Sequence, residues 1–399
     1  MKILFLSTEN PYPPDGGHHL RTFNVLKILA RRHQIYFVGF AQDKREFNYI
    51  PEIKRFCETV DIYEVSKTGY NRSFMLLACK NVFSKYPLIA RRYFIQEARE
   101  RIEQLLDRFS IDLVHMDMLA LGLYKGILKD TPVILTNHNV ESLRIYRWMQ
   151  IEKNLFLKSF LFYQYLKLRA FEQGICPKFD RCIVVSDYDE NYLKNLCGID
   201  NFVVIPNGVD TRYFKPEPAE VKKGRLAWVG GMTGPYNSDA VDFFIQKIWS
   251  LVKNKVPGAT IDFAGGGPTQ TLRDKAAEDK SVQVLGFVPD IRPIVQRASV
   301  FVAPIRVGSG TKIKVLNAMA QGKPVVATTI GAEGIDVTPE ENILIADDPE
   351  KFAEKIVYLL NHEHIAREIG MKARKLIEKK YSWDVISNDI DRTYDAYKK

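Results

Sequence analysis

The chain has 399 residues, 46% of them hydrophobic, and 57 Lys and Arg against 48 Asp and Glu leave a formal charge of +9. That length exceeds one ordinary core and fits two doubly wound units, while the even spread of charge and the lack of Gly/Ser-rich, acidic or repetitive tracts exclude a largely disordered chain. No apolar run reaches the roughly 18 residues of a membrane span, and Ile3 to Leu6 is too brief for a signal-peptide core, so a cytoplasmic protein is expected.

In chain order, Lys2 to Ser7 predicts a strand, Asn10 to Gly17 a Pro/Gly loop, and Leu20 to Arg32 a helix with apolar residues at helical spacing. Further strands are expected at Gln34 to Phe40, Leu113 to His115, Val133 to Leu135, Cys182 to Val185 and Phe202 to Ile205, with helical stretches between them. The charged, Pro-containing stretch Lys215 to Lys223 reads as a linker. A second series follows, with strands at Arg225 to Val229, Thr260 to Ala264, Val282 to Leu285, Val300 to Ala303 and Pro324 to Ala327. Trp383 to Tyr397 predicts one more amphipathic helix. Strand and helix alternating in this way imply parallel sheets covered on both faces, with ligands beyond the carboxyl ends of the strands. We therefore expect an α/β protein of two doubly wound, Rossmann-like domains facing a central cleft. The expected boundaries are 1–208, 209–380, and a terminal helix at 381–399 that crosses back to the first domain.

Chemistry is sought in the loops after those strands. The strand Val300 to Ala303 is followed by Gly308 and Gly310, and a helix is expected to open near Thr311. Free backbone N–H groups at such a helix start form an anion site, and Arg306, Lys312 and Lys314 supply cations able to neutralise a departing diphosphate. The plainer reading is a solvated basic helix start. In the first half, Asp15-Gly-Gly-His-His-Leu-Arg21 opens a helix with glycines that let backbone approach a diphosphate or an acceptor, or that form only a turn. It lacks the Gly-x-Gly-x-x-Gly pattern of dinucleotide binding.

Asp117 and His138 follow apolar strands and could accept a proton from an attacking hydroxyl or hold a sugar. His115 reads as a core histidine, and Glu141 fits helix-start capping as well as it fits acceptor contact. Asp187-Tyr-Asp189 has metal-binding Asp-x-Asp spacing, but Ser186-x-x-Asp189 reads as a capping box, and no metal is expected. The five cysteines are odd in number and form no Cys-x-x-Cys pair, which fits reduced thiols.

Val300 to Thr328, ending in Ala318-Met-Ala-Gln-Gly-Lys-Pro-Val-Val326, resembles the donor-binding segment of retaining, metal-independent glycosyltransferases of the GT-B architecture, the family four group. Val204-Ile-Pro-Asn-Gly-Val-Asp210, Trp228-Val-Gly-Gly-Met232 with Asn237-Ser-Asp-Ala240, Ala264-Gly-Gly-Gly-Pro268 and Leu285-Gly-Phe-Val-Pro-Asp290 follow that family's order. The sequence departs from it where Ser309 and Asn317 stand at the positions of the family's two glutamates, and where Arg and Lys are missing between Gly231 and Asn237.

The resemblance implies transfer of a hexosyl group from a UDP- or GDP-linked donor to a glycan or lipid-linked acceptor, with no cofactor. It implies donor contacts from Gly17, Gly231, Phe287, Val288, Arg306, Ser309, Gly310, Thr311, Lys312, Lys314 and Asn317. Acceptor contacts are expected from Gly16, His19 and Glu141, and catalytic roles for Asp117 and His138. Asn317 also admits a binding or scaffold subunit that has lost turnover. An epimerase or phosphorylase on the same architecture is the other enzyme reading, and nucleic-acid binding is not expected because no aromatic platform or helix-turn-helix pattern occurs.

Lys153 to Arg169 interleaves Leu155, Phe156, Phe160, Phe162 and Tyr163 with Lys153, Lys158, Lys167 and Arg169, beside Lys80, Lys85, Arg91 and Arg92. That profile fits either a helix lying on an anionic membrane surface or a buried helix with snorkelling lysines.

Overall fold

A computed structural model describes all residues except 15, 68–71, 219–220 and 399, and the side chains of 72 and 73. Asp15 of the glycine loop and part of the Lys215–Lys223 stretch therefore lie outside the described residues. The chain divides into two compact units, 1–206 with 386–399, and 207–385.

The first unit is a seven-stranded sheet in the order β3-β2-β1-β4-β5-β6-β7. Its strands are β1 (Lys2–Ser7), β2 (Gln34–Ala41), β3 (Thr59–Glu64), β4 (Leu113–Asp117), β5 (Val133–Asn137), β6 (Arg181–Val184) and β7 (Phe202–Val204), and each neighbouring pair is parallel. β1, β4 and β5 are buried along nearly their whole length, as strands with helices on both faces must be. Their register pairs Ser7 with Asp117 and Asp117 with Thr136, so the loops after these strands leave the sheet at one edge.

The helix after β1, α1 (Gly17–Ala30), begins earlier than its apolar spacing predicts, because Gly16 caps it in extended conformation. Two later helices matter below, α2 (Glu141–Ile151) and α3 (Leu155–Ile175). The helix α4 (Asp187–Cys197) starts where Ser186 Oγ accepts the Asp189 N–H at 3.1 Å, and Asp189 returns its carboxylate to the same hydroxyl at 2.6 Å.

The second unit is a six-stranded sheet in the order β10-β9-β8-β11-β12-β13. It comprises β8 (Arg225–Val229), β9 (Thr260–Ala264), β10 (Val282–Gly286), β11 (Val300–Ala303), β12 (Val325–Ala327) and β13 (Leu344–Ile345), again paired in parallel. Apolar clusters cover both faces, one around Trp228, Phe244, Trp249 and Phe263, the other around Phe301, Val315, Met319 and Ile377.

β3, β13, the start of α5 and the Lys215–Lys223 stretch differ from the sequence reading. β3 and β13 are additional strands, the first a half-buried edge and the second only two residues long. The helix α5 (Ile313–Ala320) opens two residues later than Thr311. The stretch read as a linker packs on the second unit, where Gln296 Nε2 donates to the Lys215 carbonyl at 2.6 Å and the Lys222 N–H to the Arg297 carbonyl at 2.9 Å. The terminal helix α6 (Trp383–Asp395) starts in the second unit and ends in the first. Within the first unit Arg32 pairs with Asp391 and Asp395 at 3.2 and 3.1 Å, and Tyr394 reaches His115 Nδ1 at 2.5 Å.

Candidate functional site

In the first unit the loops after β1, β4 and β5 converge on Asp117. As the last residue of β4 it is fully enclosed, and its carboxylate is surrounded on every side. Oδ1 lies 2.6 Å from His138 Nε2 and 3.6 Å from His115 Nε2. Oδ2 accepts the Thr22 hydroxyl at 2.5 Å and lies 3.4 Å from His18 Nε2. Burial alone would raise the Asp117 pKa, but the His138 charge and the hydrogen bonds from His115, His138 and His18 outweigh it and hold the group well below the usual carboxylate range.

His18 belongs to α1 and bonds through Nδ1 to Glu9, while His19 Nε2 is 3.1 Å from the other Glu9 oxygen. Burial would lower the His18 pKa, yet Glu9 and Asp117 on its two nitrogens raise it to about 10. The same histidines keep Glu9 ionised against its own burial. His138 goes the other way: loss of water lowers its pKa to about 4, so at neutral pH it is an uncharged imidazole. Its Nε2–H donates to Asp117, which fixes the tautomer and leaves Nδ1 as the basic nitrogen. Its ring meets His18 edge to face at 4.3 Å.

Arg21, enclosed one turn further along α1, donates to the Pro206 and Ile205 carbonyls at 2.7 and 2.8 Å. Burial brings its pKa down to about 10. The charges of this cluster balance, with Glu9 and Asp117 against His18 and Arg21.

Of the residues read from the sequence, Gly16 and Gly17 are exposed at the α1 start, and His19 joins the cluster through Glu9. His115 sits in the core as expected, held by Tyr394. Glu141 is the first residue of α2, enclosed and paired with Arg144 at 2.5 Å, which is a helix-start position. Glu9 and Thr22 lie outside the motifs read from the sequence, and His18 and Arg21 fall within the Asp15–Arg21 loop without a role of their own. A polar residue just past an apolar strand is the signal that would have found Glu9, as it found Asp117.

His18, Asp117 and His138 bring three potential ligand atoms within 4.8 Å of one another. That donor set suits a divalent ion chemically. However, the 2.6 Å between His138 and Asp117 is a hydrogen-bond separation, shorter than the roughly 3.3 Å between ligands on a tetrahedral ion with bonds of about 2.0 Å.

In the second unit the polar residues gather after β8, β9 and β11. Lys314, on the first turn of α5, lays its ammonium 4.2 Å from the centre of the Trp228 ring and donates to Asn237 Oδ1 at 2.9 Å. No carboxylate among the described residues pairs with it. Loss of water and then the nearby Lys312 charge lower its pKa to about 7. Gly230 makes room for it: a Cβ there would stand 2.6 Å from Nζ, and its φ of +136° already favours glycine. Asn237 also donates to the Gly231 carbonyl at 2.7 Å, so one amide joins the β8 loop to Lys314.

Lys312 turns back on its own loop, donating to the Gly310 carbonyl at 2.6 Å. Arg306 is gripped by both oxygens of Asp239, at 3.1 and 2.5 Å, over the Phe243 ring, so its charge is already matched. Ser309 and Thr311 are buried in the loop, and Asn317 is buried on α5 with no side-chain partner among the described residues. Past Gly286, Phe287 is exposed while Val288 packs against the core.

Family models fit the chain in two pieces: the Glycosyltransferase Family 4 model matches residues 15–213, and the Glycosyl transferases group 1 model matches residues 223–362. The chain belongs to the glycosyltransferases of GT-B architecture, family 4 type. An uncharacterized 44.6 kDa protein in the cps region of Klebsiella pneumoniae is 23% identical over 98% of both chains. The phosphatidyl-myo-inositol mannosyltransferase of Mycobacterium leprae is 25% identical over 77% of this chain and 79% of its own. Among solved structures, Anabaena HepE in complex with UDP-glucose superposes with a TM-score of 0.67 at 15% identity, covering 99% of this chain and 100% of that one. The last likeness is one of fold.

Proposed function

We propose that this glycosyltransferase moves a hexosyl group, with retention at the anomeric carbon, from a UDP- or GDP-linked donor to a glycan or lipid-linked acceptor in cell-surface polysaccharide or glycolipid synthesis. The observation that carries the donor assignment is Lys314, a cation without a carboxylate partner among the described residues, shaped around by Gly230 and oriented by Asn237. A diphosphate supplies the missing negative charge and raises the Lys314 pKa as it binds. Lys312, the Gly308–Thr311 loop and the first N–H groups of α5 add to that anion site. Phe287 and Val288 take the base, and Asn317 takes a ribose hydroxyl through a neutral hydrogen bond.

In the first unit the neutral His138 holds a sugar hydroxyl, and Gly16 and His19 receive the acceptor side. Asp117, ionised and surrounded, is suited to orienting His138 and His18 rather than to accepting a proton. Glu9 is similarly committed. With no free carboxylate base in this cluster, the acceptor hydroxyl is best served by the leaving phosphate: the bond from the anomeric carbon to the phosphate oxygen breaks, the bond to the acceptor oxygen forms on the same face, and the acceptor proton passes to the departing diphosphate. No metal enters this scheme, and the enzyme works in the cytoplasm at the inner face of a membrane.

The test is calorimetry with UDP, GDP, ADP and their sugar conjugates on wild type and Lys314→Ala, followed by NMR of the product anomer with and without EDTA. Selective binding that Lys314→Ala weakens on the order of tenfold or more, and a retained anomer formed in EDTA, are expected. An inverted product or loss of turnover in EDTA overturns those parts. The missing carboxylate at Asn317 favours one other reading, a nucleotide-sugar-binding subunit without turnover, which binding without product would select.

A further inference from the structure

The helix α3 is apolar on both faces. Its inward face buries Leu161, Leu168, Phe171 and Ile175 together with Gln164, Lys167 and Glu172, whereas its outward face in the first turns carries Leu155 at 75% exposure, Phe156 at 90%, and Phe162 and Leu166 near half. The inward polar groups are satisfied: Gln164 and Lys167 bond to Asn81, and Glu172 accepts the Ser142 N–H at 3.1 Å. Leu155, Phe162 and Leu166 recur at helical spacing and form one stripe, and Phe156 stands beside its first turn.

Beside that stripe lies the segment 74–86. Tyr163 donates its hydroxyl to the Val82 carbonyl at 2.6 Å, and the Asn81 bonds fix the same contact. There Met75, Leu76, Val82 and Phe83 are exposed, Phe83 at 94%. Surface apolar residues are ordinarily scattered, so a cluster of this kind marks an interaction site.

Charge says what covers it. No Asp or Glu occurs from residue 65 to 96 or from 153 to 171, while Lys80, Lys85, Lys153 and Lys158 fall within these stretches. Further along α3, Lys85, Lys125, Lys129 and Lys178 line a cavity of about 580 Å³ with no acidic residue in its wall. A second copy laid on the same face would set lysines against lysines. A sheet of acyl chains under anionic headgroups matches both the apolar stripe and its lysine rim.

We propose that this face, made by residues 74–86 and the outward stripe of α3, is a docking surface for an anionic lipid bilayer. Phe83, Leu155, Phe156 and Phe162 enter the acyl boundary, and the lysines hold the headgroups. The surface is independent of which sugar or nucleotide the protein uses.

The experiment is flotation of the full-length protein with vesicles of phosphatidylcholine alone and with phosphatidylglycerol included, with nucleotide affinity by calorimetry as the control for folding. Binding to the anionic vesicles only, reversed by high salt, is expected. Phe83→Ser with Phe156→Ser should lower partitioning at least tenfold, and Lys80→Glu with Lys85→Glu should abolish the preference for phosphatidylglycerol, both with nucleotide affinity unchanged. Absence of anionic-vesicle binding at low salt overturns the proposal. So does binding that survives both double variants, or sedimentation showing self-association that the Phe variant abolishes.

Discussion

The two polar clusters of this protein are built on opposite terms. Around Asp117 each charge already has its counter-charge: Glu9 and Asp117 are ionised, His18 and Arg21 are cationic, and His138 is neutral between them. Around Lys314 the balance is left open, with an amide where a carboxylate could stand and an ammonium whose pKa has fallen to about 7. A closed network fixes geometry before any ligand arrives, and an open one reserves its binding energy for the ligand. On the proposed reading, orientation belongs to the first cluster and anion recognition to the second.

The sharpest way to break that division is Asp117→Asn. Turnover should fall on the order of a hundredfold, because the His138 tautomer and the His18 charge lose their anchor, while nucleotide affinity by calorimetry stays within about twofold. A matching loss of nucleotide affinity would show that the clusters share one task.

Next in size is the pH dependence of nucleotide diphosphate binding. The free-protein Lys314 pKa is about 7 and a diphosphate bound beside it would raise it, so above pH 7 binding at this site would take up a proton. Affinity should therefore fall by about tenfold or more from pH 7 to 9, and stay flat over that range in Lys314→Met. A flat wild-type profile removes Lys314 from the phosphate site.

The smallest effect sharpens the comparison within the second unit. Arg306 is exposed and paired with Asp239, so Arg306→Ala should weaken binding only about threefold in the same titration. A loss as large as that of Lys314→Ala would mean that the ligand displaces Asp239.

Strand and helix order was legible because parallel strands buried on both faces are continuous apolar runs, and eleven of the thirteen strands announce themselves that way. Thr59–Glu64 does not, since a half-buried edge strand mixes Asp and Glu with its Val, Ile and Tyr, and Leu344–Ile345 is too short to carry a pattern. Composition misleads at Lys215–Lys223, where charge and proline suggest a free linker although hydrogen bonds at Lys215 and Lys222 tie it to the second unit. In the polar clusters, positions just past strands pointed to Asp117 and His138. The pairing of Arg306 with Asp239, 67 residues away, leaves no local trace in the sequence. The burial of Gln164, Lys167 and Glu172 on the inner face of α3 is equally invisible, because their partners Asn81 and Ser142 lie on distant segments.

The terminal helix gives the first unit an unusual history. Residues 386–399 belong to the unit that opens with β1, and Tyr394 closes over His115 on the strand that ends at Asp117. On the ribosome, the entire second unit is therefore synthesised before the first can be finished. The histidine and carboxylate cluster gains the Tyr394 support only once that helix has emerged, so a nascent or clipped chain lacking it leaves His115 without this partner.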